Sequence, residues 1–450
     1  MLNRLTCRRR RRASHPPSAA STERRRRMMN PRIWVAIAVA GCWACLGQPA
    51  SAQECEASDT WFASTGVPKP DDAHRSTFHS NCAFHQFSWQ AFLWLTDALQ
   101  NGTPRFQSMF SDASIDSKVK NPTEHVLDGV QQADSLGILV DQNGRAVYTN
   151  MLINDVYRQF VIDRRLNTRE GMKEAAANLV FPTGAISLKA AWKIVGPNED
   201  VSRFYTTTAK IALLSKAGNT VDIDPQRKLE TVKVALVGFH IAWVVDGHPE
   251  AIWATFEQVD NAPDFKENQQ MSQPVANKSY TFYRAGTPAQ DCNVNNASVI
   301  ELDKSTQKLT PVTQTCRQYR TGGGEELNVK NIDSLNKSVR DHLATKQSVW
   351  RNYEEVGAVW MGEDQASAKP FHPDWSPQID NSQIKGSDQL SNSVIETFTQ
   401  NKVSKNQCFS CHNTMAVTDT RDLPLVLPGK DINTSHILLR KYMNNPVIKR

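Results

Sequence analysis

Five consecutive residues concentrate the reactive chemistry of this chain: Cys408-Phe409-Ser410-Cys411-His412. Two thiols separated by two residues can add to the two vinyl groups of haem, while the adjacent imidazole swings beneath the ring to ligate iron. With 9 cysteines and 11 histidines in 450 residues, a chance match to this pattern is expected in roughly fewer than one such chain in a hundred. Three other chemistries use a CxxC. A thioredoxin-like redox pair belongs beside a βαβ pattern, and none follows Cys411. A zinc site needs two further ligands at suitable spacing; His436 is available, but the other CxxC, Cys42-Trp43-Ala44-Cys45, lies in the N-terminal apolar run. A plain disulfide between Cys408 and Cys411, in a haem-free exported binding protein, leaves the adjacent His412 without a role.

The thiols must be read with the compartment in mind, and the first 52 residues speak to that. Arg24 to Arg32 is a basic stretch, Ile33 to Leu46 is a short apolar run, and Ala50-Ser51-Ala52 has the small residues of a cleavage site; together these are the marks of a secretory leader cut after Ala52. The run is too short and interrupted for a retained membrane anchor, which needs about 20 apolar residues. Val39-Ala40-Gly41-Cys42 offers a lipid anchor at Cys42 as an alternative, against which stands the apolar Trp43-Ala44-Cys45-Leu46 that would follow. Eleven of the 52 basic residues and one of the 46 acidic ones fall in this leader, leaving 41 against 45 and a net charge of −4. The basic character is therefore that of the leader, and neither nucleic acid nor an anionic membrane is an expected partner.

In an oxidising compartment the other four cysteines of the mature chain are expected to pair. Local spacing favours Cys55 with Cys82 and Cys292 with Cys316, although four cysteines allow three connectivities.

The elements that position these residues are read from periodicity. Phe84 to Leu99 is apolar and aromatic, with His85, Trp89 and Phe92 at helical spacing. Ile186 to Ile194 alternates as a half-buried strand, Asp141-Gln142-Asn143-Gly144 is a hairpin turn, and Val232 to Val245 reads as a central strand turned by Asp246 to Pro249 into Ala251 to Val259. His248, in that turn, is expected to be exposed. Glu257, Asp260 and Asp264 follow the last strand and are expected to solvate its end rather than bind calcium. A helix is expected from Asp333 or Ser334 through Trp350, a linker from Lys369 to Ser387, and a further helix from Ser391 to Gln400 leading into the cysteines. The fold class is α+β: a central, mainly antiparallel sheet, an N-terminal aromatic helix, and a short helical C-terminal segment. The division is leader 1–52, an exported α+β region 53–387, and a haem-binding segment 388–450.

On Cys408, Cys411 and His412 the chain resembles the c-type cytochromes, and the likeness at motif level covers its last 50 to 60 residues. The stretches Phe84 to Gln90 and His248 to Asn261 also look like bacterial exported proteins of the cytochrome c family. The resemblance implies one covalent haem c with His412 as proximal iron ligand. It departs from small single-domain cytochromes, whose motif lies near the start and whose distal methionine follows well downstream. Only 38 residues follow His412, and Met415 is too near in sequence to reach the opposite face. The distal candidates are Met443, then His85, with His79, His240, His372 and His436 behind them. The expected function is periplasmic electron transfer with redox partner proteins. The alternative is a haem oxidoreductase whose large N-terminal region binds a small-molecule substrate, or whose iron reacts with peroxide.

Overall fold

The alternation from Ile186 to Ile194 and the apolar run ending at Val245 become neighbours in one nine-stranded sheet. Its strands are β1 (Phe110–Ser111), β2 (Val126–Leu127), β3 (Val147–Ile153), β4 (Ile186–Ile194), β5 (Thr206–Ala212), β6 (Leu229–Val245), β7 (His248–Gln258), β8 (Tyr353–Met361) and β9 (Ile384–Gly386). The order is β1-β3-β4-β6-β7-β8-β9, with β5 on the first half of β6 and β2 beside β5. All pairings are antiparallel except β2 with β5. The computed structural model describes residues 54–62, 69, 78, 80–116, 126–133, 135–319, 323, 325–362, 371–419 and 425–443. The leader, its cleavage site, Cys42 and His79 lie outside them.

Among the described residues, six α-helices accompany the sheet: α1 (Asn81–Thr96), α2 (Asp155–Asp163), α3 (Arg169–Glu174), α4 (Glu326–Thr345), α5 (Cys408–Cys411) and α6 (His436–Met443). The two faces of β6 and β7 are claimed by different parts of the chain, because successive side chains point to opposite sides. Phe239, Ile241, Trp243, Ala254 and Phe256 pack with Trp89 and Phe92 of α1 and Leu335 and Val339 of α4. The ring of Phe92 stacks on that of Phe256 at 4.4 Å. Burying an apolar side chain of this size contributes about 1.5–3 kcal/mol, so this face is the principal core.

The opposite face is covered by C-terminal residues. Ala242, Val244 and Ala251 meet Leu427, Ile432 and Leu438, and Val359 and Met361 meet Trp375, Leu390, Cys408 and Phe409. A Cβ at Gly238 would lie 2.2 Å from the Cγ2 of Val394, so the missing side chain lets the C-terminal chain lie directly on β6. The described residues form one compact unit. Disulfides join Cys55 to Cys82 and Cys292 to Cys316.

Four expectations are corrected. Ser391 to Gln400 is a buried irregular segment, not a helix; Asn392 Oδ1 accepts the backbone N–H of Val394, Ile395 and Glu396, replacing the helical bonds. The supposed linker carries Trp375, fully buried and bonded through Nε1 to the Asp380 carbonyl. His248 is buried, its Nδ1 2.8 Å from Glu250 Oε1, because Phe78 and Phe84 close over the turn. Glu257 is also buried rather than solvated: Arg317 reaches it at 3.3 Å, together with Asp264 and Glu354, and the N–H of Ser393 donates to it. Burial raises the Glu257 pKa, against the opposing pull of Arg317.

Candidate functional site

Helix α5 is a single turn, and residues at i, i+3 and i+4 share one side of a helix; Cys408, Cys411 and His412 therefore emerge together. The turn is held at its start by reciprocal bonds. Gln407 accepts the N–H of Phe409 through its side chain, and Ser410 Oγ accepts the N–H of Gln407. At its end, His412 N–H donates to the Cys408 carbonyl.

Phe409 anchors the turn from within. It is fully buried against Trp375, with ring centroids 5.6 Å apart, and Trp253 of β7, 6.4 Å away. Cys408 and Cys411 are thiols. Burial, then the nearby Glu396, pushes the Cys408 thiol well above its ordinary pKa of 9.0, so its proton stays on sulfur at neutral pH.

His412 is oriented by three neighbours from distant parts of the sequence. Its Nδ1–H donates to the Thr434 carbonyl at 2.8 Å, which places the ring's lone pair on Nε2. The Trp253 ring lies 4.2 Å from it between centroids, and the His436 ring stacks at 4.0 Å. His436 in turn donates through Nε2 to the Cys411 carbonyl at 3.1 Å. Ligating histidines commonly donate their second N–H in the way His412 does.

The two favoured distal candidates are placed differently, His85 on the far face of the sheet and Met443 in the cluster against which Trp253 also packs. His85 is fully buried on the α1 side of the sheet, bound through Nδ1 to Glu355 and through Nε2 to Asn328 Oδ1, both at 2.7 Å. Both ring nitrogens are thus engaged on the face away from the CxxCH. Met443 ends α6, about 10 Å along the axis from His436, in the cluster with Leu438, Leu439 and Tyr442. His372 donates through Nδ1 to the Pro373 carbonyl.

His240 of β6, ranked behind both, is the histidine that the sheet presents on the motif side. It pairs across the sheet with Lys189 and Thr255, so Trp253 is its diagonal neighbour on the same face. Its Nε2 lies 2.8 Å from Asn392 Nδ2 and 3.3 Å from Glu396 Oε2. Burial, then the neighbouring Lys189 and His412 side chains, hold its pKa well below 6.5.

Compared with protein-family models, curated proteins and solved structures, the chain matches none. The chemistry is therefore read from these residues alone. Among the described residues, no cluster of three or more His, Cys, Asp or Glu is arranged to hold a metal ion directly, and no helix is long and apolar enough to cross a membrane. Sequence reasoning missed Thr434, Trp253 and Asn392. Thr434 acts through its backbone carbonyl, which no residue type announces.

Proposed function

We propose that the protein is an exported electron-transfer protein carrying one haem c, attached through Cys408 and Cys411 with His412 as the proximal ligand. The observation that carries this reading is the His412–Thr434 hydrogen bond beside two thiols on the same helical turn. The donor set fits the group: two cysteine sulfurs outside any disulfide to form thioethers, and an imidazole whose Nδ1–H is held by a carbonyl so that Nε2 would ligate. When bound, the haem supplies one-electron redox chemistry. Phe409, Trp375 and Trp253 form the apolar packing beneath the attachment turn, and Trp253 and His436 hold the His412 ring in place. The two disulfides accord with export to an oxidising compartment such as the periplasm, where redox partner proteins would exchange electrons with it. Expression with a cytochrome c maturation system tests the reading. Sharp reduced absorption bands that survive acid-acetone extraction are the expected result; loss of all colour on extraction would refute covalent attachment.

A second reading, a haem oxidoreductase with a bound small substrate, is favoured by one feature. A cavity of about 590 Å³ is lined by Phe78, Phe84, His248, Trp360, Lys385 and Asp388. Saturable quenching of tryptophan fluorescence by small aromatic reductants, with turnover of the same compounds, would move the assignment toward this reading.

A further inference from the structure

We propose that His240 supplies the sixth ligand of the iron, giving bis-histidine coordination with His412; this rests on the haem reading above. Three geometric facts converge on it. His240 lies on the sheet face that the CxxCH segment covers, diagonal to Trp253, whose ring is 4.2 Å from that of His412. Its side chain meets Asn392 and Glu396, in the segment that leads into the cysteines, and Glu396 is also the charged neighbour of Cys408. The attachment turn and His240 therefore lie on one face of the sheet and share Glu396 as a neighbour.

The third fact is the protonation state that the hydrogen bonds impose. Asn392 Oδ1 accepts three backbone N–H groups, so its amide is oriented with Nδ2–H₂ toward His240 Nε2. Nε2 is then an acceptor, and the ring is neutral with its proton on Nδ1. A neutral imidazole with its lone pair on Nε2 is the form that ligates iron. In the haem-bound protein, His240 Nε2 would hold the iron and would give up its bond with Asn392. His436 is excluded from this role because its ring is stacked against His412 and its Nε2 donates to Cys411. His85 is on the other face with both nitrogens engaged.

Holoprotein matured with covalent haem provides the test, read by electron paramagnetic resonance and near-infrared magnetic circular dichroism of the ferric state. Wild type is expected to be low-spin with a bis-histidine charge-transfer band and no methionine band. His240→Ala should become high-spin and return to low-spin on adding imidazole, His240→Met should show the methionine band, and Met443→Ala should match wild type. A covalently bound haem whose spectrum is unchanged in both His240 variants overturns the assignment while leaving the haem reading standing. Wild type that holds no haem removes both. Circular dichroism and the haem-to-protein ratio of each variant show that it is folded and loaded.

Discussion

His412 and Thr434 are joined by a 2.8 Å hydrogen bond in which Nδ1–H donates to a backbone carbonyl. The bond sets the tautomer and aims the imidazole before any cofactor arrives, and it depends on the short 3-10 turn Asp431–Thr434 that precedes α6. Folding of residues 431–443 is thus coupled to the orientation of His412.

Replacing both Cys408 and Cys411 with alanine should abolish covalent haem while leaving the protein folded, since alanine at these positions keeps the helical turn. Intact-mass spectrometry of the matured protein should then give the mass of the polypeptide alone. Each single substitution should retain one thioether and shift the reduced band.

Phe409 is the anchor of the turn, and Phe409→Ala should cost about 3–5 kcal/mol through lost burial and the cavity left behind. Urea denaturation with and without haem measures it. An unchanged midpoint would mean that the segment is not packed on β7 as described.

His85→Ala leaves the buried Glu355 carboxyl without its imidazole partner, while Asn328 Oδ1 keeps its bond from Asn81, which should cost about 1–3 kcal/mol. The ferric haem spectrum should not change, because His85 faces α4 and not the motif. A spectral change with a stable fold would contradict this placement.

Burial raises the Glu355 pKa above its ordinary 4.5, with His85 opposing. The folded state holds a proton that the unfolded chain releases, so this contribution is fully present below pH 4.5 and is lost as pH rises through the raised pKa. Glu355→Gln, which has no proton to lose, should flatten the fall in urea midpoint above pH 4.5 by up to about 1.4 kcal/mol per pH unit.

Cys292→Ser with Cys316→Ser opens a link with a sequence separation of 24, and a loop of this size should cost about 3 kcal/mol in equilibrium denaturation. Haem attachment should persist, since the disulfide belongs to a separate cluster around Val275, Tyr283 and Ala289.

Local patterns made much of the sheet legible. Strand β4 matches the alternation from Ile186 to Ile194, and Gly247, at φ +82°, turns β6 into β7 where the Asp-Gly step was read. The segment from Ser391 to Gln400 misled because its apolar spacing resembles a helix, whereas the Asn392 side chain captures the backbone N–H groups that a helix would use. Glu257 and His248 misled because sequence shows a polar residue at a strand end but not the Arg317 or Phe84 that arrives from elsewhere.

By itself, the sequence determined that Cys408, Cys411 and His412 share a face, because they need only one helical turn to do so, and it determined the central strands β4, β6 and β7, whose pattern is a property of neighbouring residues. The tertiary structure alone decided what surrounds that turn. Thr434 and Trp253 reach it from separate parts of the chain, and which residue faces the motif depends on which side of β6 and β7 each distant segment packs against. A period of two marks that a strand has two faces, but not which one the C-terminal chain will cover.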